Sequence, residues 1–98
     1  MVSRPAWTIE WAETAFRDIS KLEKPIARRI FVKLEQAAVD PMRFFERLVG
    51  SADFKLRVGD YRVVALLSIQ DRIVFIERGG HRSKIYERRG RWSAQRRS

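Results

Sequence analysis

Phe54-Lys55-Leu56-Arg57-Val58-Gly59-Asp60-Tyr61-Arg62-Val63-Val64 is the stretch whose reading decides the fold. Apolar and basic residues alternate up to Gly59-Asp60, a pair suited to the two-residue loop of a β-hairpin. With that loop, Val58 faces Tyr61, Arg57 faces Arg62 and Lys55 faces Val64, and directly opposed residues share a face. Phe54, Leu56, Val58, Tyr61, Val63 and Ala65 are therefore expected on the core side. Lys55, Arg57 and Arg62 are expected together on the other side. Three like charges on neighbouring strand positions repel one another. A bound phosphate reverses that sign, and the planar fork of arginine matches phosphate oxygens. The plainer reading of the same pattern is a solvated sheet face.

Working outward, residues 53–58, 61–69 and 72–78 are read as three successive strands, with Gln70-Asp71 as a second tight turn. Toward the N-terminus, Trp7-Thr8-Ile9-Glu10-Trp11 alternates as a first strand with Trp7, Ile9 and Trp11 on one face. Ala12, Ala15, Phe16, Ile19 and Leu22 then recur at helical spacing. Glu23-Lys24-Pro25 breaks the chain, and Pro25 suits the first turn of a second helix. Ile26, Ala27, Ile30, Phe31, Leu34, Ala37 and Ala38 form its apolar stripe, which should end near Asp40-Pro41. Arg28, Arg29, Lys33 and Glu35 point elsewhere. Residues 41–52 are a connector with a short helical turn around Phe44 and Phe45. The expected class is α+β: an N-terminal strand, an antiparallel two-helix hairpin, then a three-strand antiparallel meander, with the helices on one face of an antiparallel sheet.

A chain of 98 residues with 45% hydrophobic and 34% charged residues fits one folded domain. Residues 1–88 are assigned to it, and 89–98 to a basic, flexible tail. The absence of cysteine and the single histidine exclude a cysteine/histidine zinc site and a cysteine nucleophile. No apolar run approaches the roughly 20 residues that span a bilayer. Met1 to Trp7 carries no signal-peptide stretch, so a cytoplasmic protein is expected. The net charge of +9 is uneven. Residues 1–77 hold 13 Lys and Arg against 11 Asp and Glu, whereas 78–98 hold 8 against 1. A basic block on a near-neutral body points to a polyanionic partner or, more simply, to a solubilising tail.

That block opens with Arg78-Gly79-Gly80-His81-Arg82-Ser83-Lys84-Ile85-Tyr86. It begins where the last strand is expected to end, and the paired glycines permit a sharp change of direction. His81, Arg82 and Tyr86 then lie close together, and an imidazole, a guanidinium and a phenol can move protons and stabilise charge. Arg78 and Lys84 add positive charge suited to a polyanion. The alternative is a polar loop histidine beside a tyrosine packed on the core edge.

Over residues 7–88 the chain resembles the RelE/ParE toxin superfamily. The resemblance rests on four stretches taken in order: WTIEW, KLEKPIARRI, FKLRVGDYRVV and GHRSKIYERR. It implies a RelE-like fold and a toxin of a type II toxin–antitoxin system. Such a toxin is a metal-independent, ribosome-dependent endoribonuclease that needs no cofactor. It cuts mRNA in the A site through attack of a ribose 2′-hydroxyl on the adjacent phosphate. By resemblance, Arg62 contacts the phosphate, Lys55 is a catalytic lysine, Arg82 protonates the leaving oxygen or stabilises the transition state, and Tyr86 is the base. Arg57 adds phosphate affinity. Asp53 stands where the RelE pattern has a second lysine, which leaves His81 as a second candidate for the base. The implied partners are the ribosome with its mRNA and a cognate acidic antitoxin, in a toxin–antitoxin heterotetramer. The superfamily also admits a ParE-like toxin that inhibits gyrase, and an inactive RNA-binding member of the same fold.

Overall fold

Gly59 has φ +60°, and Asp60 does not share that sign. A two-residue loop with positive φ at its first position alone is the II′ pattern, whose twist matches paired strands. In this computed structural model, which describes residues 6–85, the loop joins β3 (Phe54–Val58) to β4 (Tyr61–Ser68). The register is the one read from sequence: Val58 opposite Tyr61, Arg57 opposite Arg62, Lys55 opposite Val64. Leu56, Val58, Val63 and Ala65 are buried on the core side as expected.

Beyond β4 the chain departs from expectation. Ser68 pairs with Ile73, so residues 69–72 form the loop rather than Gln70-Asp71 alone. Arg72 takes φ 56° there, and the Asp71 backbone N–H donates to Ser68 Oγ at 3.3 Å. The last strand, β5 (Ile73–His81), runs through the two glycines instead of stopping at Arg78. Val64 faces Arg78 while Ala65 faces Ile76, so Glu77 is an extra residue, a bulge. After the bulge, Gly79 faces Val63, Gly80 faces Arg62 and His81 faces Tyr61.

The sheet is mixed, not antiparallel throughout. β1 (Thr8–Trp11) lies parallel to β5. A two-residue strand, β2 (Glu46–Arg47), adds to the free side of β3, giving the order β1-β5-β4-β3-β2. The chain leaves β1 through α1 (Glu13–Ser20), α2 (Lys24–Ala37) and α3 (Pro41–Phe44) and enters the sheet again at its far edge. The meander then walks back until β5 arrives beside β1 in the same direction. Pro25 sits in the first turn of α2, and α2 ends before Asp40-Pro41, as its residues require. Ala15 and Ile19 of α1 and Ile30, Leu34 and Ala37 of α2 pack on Leu56, Val58, Val63, Ala65, Val74 and Ile76. Trp7, Ile9 and Trp11 are half-buried against this core. Phe16 is 58% exposed, because the buried line of α1 runs through Ala15 and Ile19. Its ring and that of Phe31 meet Trp11 at the surface, with centroids 6.5 and 5.4 Å away. On the other face Leu48, Val64 and Ile85 form a small second cluster.

α1 takes over the edge of β5 where β1 stops. The Ala12 N–H donates to Ile76 O at 2.8 Å, Thr14 Oγ1 donates to Glu77 O at 3.0 Å, and Asp18 Oδ2 accepts the Gly79 N–H at 3.2 Å. The same oxygen takes Arg78 Nε at 2.8 Å, in a pair whose side chains are only 18% and 15% exposed. Helix and strand approach so closely that a Cβ on Gly79 would stand 2.5 Å from Ile19 Cδ1. Gly79 is thus set by crowding rather than by a change of direction, whereas a Cβ at Gly80 would only touch Ile85, 3.8 Å away. Gly79→Ala is expected to lower stability by about 1–3 kcal/mol in urea unfolding, as overpacked sites do, and Ile19→Val, which deletes the offending methyl, should recover part of it. Asp18→Ala leaves Arg78 and the Gly79 N–H unpaired and should cost roughly 2–3 kcal/mol. A loss under about 0.5 kcal/mol in the same assay, the range of ordinary surface changes, would mean that Asp18 does not hold this edge.

Candidate functional site

The alternation of a strand puts Lys55, Arg57 and Arg62 on the sheet face opposite the helices, and Arg57 stands directly across from Arg62. Their settings differ. The Arg57 side chain is exposed. Lys55, across from Glu46 on β2, places Nζ 3.8 Å from Glu46 Oε1, with its side chain 20% exposed. Alternation predicts an Arg62 that reaches outward, but it is only 6% exposed. Its Nη1 donates to Gly59 O at 2.8 Å and Tyr61 O at 2.9 Å, folding the guanidinium back on the turn. Carbonyls at a tight turn need donors, and an arginine two residues past the loop supplies them. Nor is this face bare. Residues 82–85 are helical, and Ile85 is buried with Val64 and Leu48.

Asp53 is 1% exposed on the same face. Its Oδ2 accepts Ser51 Oγ at 2.8 Å, its N–H donates to Ser51 Oγ at 3.0 Å, and its carbonyl takes the Leu48 N–H at 2.9 Å. This acid fastens the loop that carries Leu48 into the second apolar cluster. A lysine side chain here could not accept the Ser51 hydroxyl.

The C-terminal group is divided. The Arg82 N–H donates to Asp60 O at 2.8 Å, which fixes that residue beside the hairpin turn with an exposed side chain. His81 is on the helix side, its ring edge-on to Tyr61 with centroids 5.3 Å apart. Its Nδ1 accepts the Ser83 N–H at 3.2 Å and lies 3.0 Å from Ser83 Oγ, an arrangement that assigns the ring proton to Nε2. Arg78 is committed to Asp18. Lys84 is exposed and lines a cleft with His81 rather than with the arginines. Tyr86 lies outside the described residues, as does the boundary drawn at 88/89. The structure therefore gathers Lys55, Arg57 and Arg62 and brings the Arg82 backbone to their turn; Arg78, opposite Val64, starts from the same face but is held by Asp18 at the sheet edge, and His81 and Lys84 are set apart.

Two cations were missed. Arg29 and Lys33, one helical turn apart on α2, join Arg57 around a 250 Å³ cleft at the exposed edge of β3. The i, i+4 spacing was the available signal, but which strand edge that helix face meets cannot be read from periodicity. Arg29 Nη1 lies 3.5 Å from where a Cβ on Gly59 would stand. Among the described residues, Arg29, Lys33 and Arg57 form no ion pair. The positive face thus continues around the edge of the sheet.

Comparison with known proteins agrees with this architecture. Residues 9–86 match the profile of the ParE toxin of type II toxin–antitoxin systems, parDE. The toxin–antitoxin complex RelBE2 from Mycobacterium tuberculosis contains a chain 27% identical to this one, with TM-score 0.69 over 79% of this chain and 92% of that one. The RelE–RelB complex of Pyrococcus horikoshii gives 20% identity and TM-score 0.68, over 80% and 97%. The isolated E. coli RelE toxin gives 21% and 0.68, over 88% and 97%. These last two likenesses establish the fold. No curated protein matches the chain by sequence. With its profile match covering most of the length and its fold that of RelE, the chain belongs to the ParE toxin family of type II toxin–antitoxin systems, within the RelE/ParE superfamily.

Proposed function

We propose that this toxin is a ribosome-dependent endoribonuclease that cuts mRNA in the A site. The observation that carries this reading is the opposed Arg57/Arg62 pair beside Lys55, on the face away from the helices and next to Arg82 at the turn. Arg57, exposed and without an ion pair among the described residues, meets the scissile phosphate. Arg62 lends its field from a guanidinium already fixed by two carbonyls, so little reorganisation accompanies the reaction. The ribose 2′-hydroxyl attacks the adjacent phosphorus, the 5′-oxygen leaves, and a 2′,3′-cyclic phosphate results. Arginine hardly deprotonates, so Arg62 and Arg82 stabilise charge while Lys55 and Tyr86 move protons. His81 stands opposite Tyr61 on the helix side of the sheet, away from this group, so the proton-transfer roles are assigned to Lys55 and Tyr86. The reaction belongs to the cytoplasm, where ribosomes are. Among the described residues no helix is long and apolar enough to cross a membrane.

A cognate acidic antitoxin is the partner that silences this toxin, in a toxin–antitoxin heterotetramer. Support comes from the net charge of +9 and from the exposed Phe16, Val32, Val39, Met42 and Phe44 on and beside the helices, a surface that an amphipathic chain can cover. A second reading, gyrase inhibition, is favoured by the ParE profile and by the burial of Arg62.

Primer extension on mRNA from translating ribosomes given the purified toxin separates these. Cuts within A-site codons are expected. Intact mRNA with stalled gyrase selects the second reading, and salt-sensitive RNA binding alone selects an inactive RNA-binding member. Arg57→Ala should lower cutting on the order of 10-fold or more at unchanged stability, because it removes a charge-assisted contact from an exposed position. Wild-type cutting by that variant would refute the site. Arg62→Ala should abolish cutting and also cost roughly 1–3 kcal/mol, since two carbonyls of the turn lose a donor.

A further inference from the structure

β5 outlasts β1, whose final partner is Ile76. Thr14 and Asp18 cover the edge at Glu77 and Gly79 and no further. Successive residues of an antiparallel strand send their N–H and C=O groups to alternate sides. The Gly79 N–H turns away from β4 toward Asp18, and the Arg82 N–H turns back toward Asp60 O. His81 has the parity of Gly79, so its N–H and C=O leave the sheet edge. They open on a cleft of about 470 Å³ whose lining includes Lys21, Tyr61, Gly80, His81, Lys84 and Asp18.

The charge in this cleft is positive. Asp18 is already matched by Arg78 at 2.8 Å. Lys21 and Lys84 are exposed, and among the described residues neither has an ion pair. Because Ser83 occupies Nδ1 of His81, the remaining polar atom of the ring is the Nε2–H donor. Two ammonium groups, an imidazole N–H and a strand-edge amide form a donor set suited to a tetrahedral oxyanion. We propose that this cleft binds a phosphate group, held by Lys21, Lys84 and His81 on the helix side of the sheet, apart from the Arg57/Arg62 face. The phosphate comes either from a free anion or nucleotide or from the backbone of an RNA strand. The proposal does not depend on the nuclease reading: a toxin that never cut RNA would carry the same cleft.

Two-dimensional amide NMR of the whole chain tests it at constant ionic strength, with inorganic phosphate in one arm and a non-cleavable 2′-O-methyl RNA oligonucleotide in the other. Saturable shifts at Gly80, His81 and Lys84 are expected in wild type and in Arg57→Ala. In Lys21→Gln/Lys84→Gln the apparent affinity at these signals should fall about 10-fold or more, as the removal of two charge-assisted hydrogen bonds implies. Shifts with inorganic phosphate alone identify a free anion. Shifts in both arms identify an RNA phosphate, and the double variant should then lower the salt slope of RNA binding by about 0.7 for each phosphate no longer neutralised. The proposal is overturned by no saturable shift in either arm, by equal shifts with chloride, or by shifts unchanged in the double variant.

Discussion

The approach of α1 to the upper half of β5 is the constraint on which the rest depends. β1 is too short to pair the whole of β5, and a strand edge left unpaired in the interior would strand its N–H and C=O groups. The helix that follows β1 solves this with two side chains, Thr14 and Asp18, that act as a substitute strand. Their reach is short, so the helix must come close, and at that distance a side chain at position 79 would push on the end of Ile19. The order of causes runs from the length of β1 to the glycine, and from the glycine to the place where β5 delivers His81 and Arg82.

The hairpin was legible because two independent local signals agreed, the alternation up to Val58 and the Gly59-Asp60 loop. Its register then followed without knowledge of the rest. The helices were legible from their spacing, and Pro25 marked the start of α2. Three things were hidden. β2 is a Glu-Arg dipeptide with no pattern of its own; only Lys55 and Phe54 opposite make it a strand. The parallel pairing of β1 depends on how many times the chain crosses the sheet, which periodicity does not record. The Gly79-Gly80 pair has the same appearance in a turn and in a crowded strand, and the crowding comes from Ile19, far earlier in the chain.

The candidate site divides along the same line. Arg57 facing Arg62 is a local fact and was available. That the Arg62 guanidinium serves the carbonyls of its own turn is also local, yet alternation specifies a face and not an exposure. The membership of His81 could not be reached at all, since its side of the sheet is decided by the bulge at Glu77. Without an extra residue there, strict alternation from Val74 and Ile76 would direct Arg78 and Gly80 toward the helices and His81 toward the arginines.

The bulge also settles how much change in length this strand can bear. A chain lacking Glu77 would keep every downstream pairing and give up the irregularity with its bond to Thr14, because the residue it drops stands outside the β4 register. Dropping either glycine instead would slide the imidazole across the pleat to sit opposite Arg62. The position of a single deleted codon within one short segment thus decides whether the residues after it keep their side of the sheet or change it.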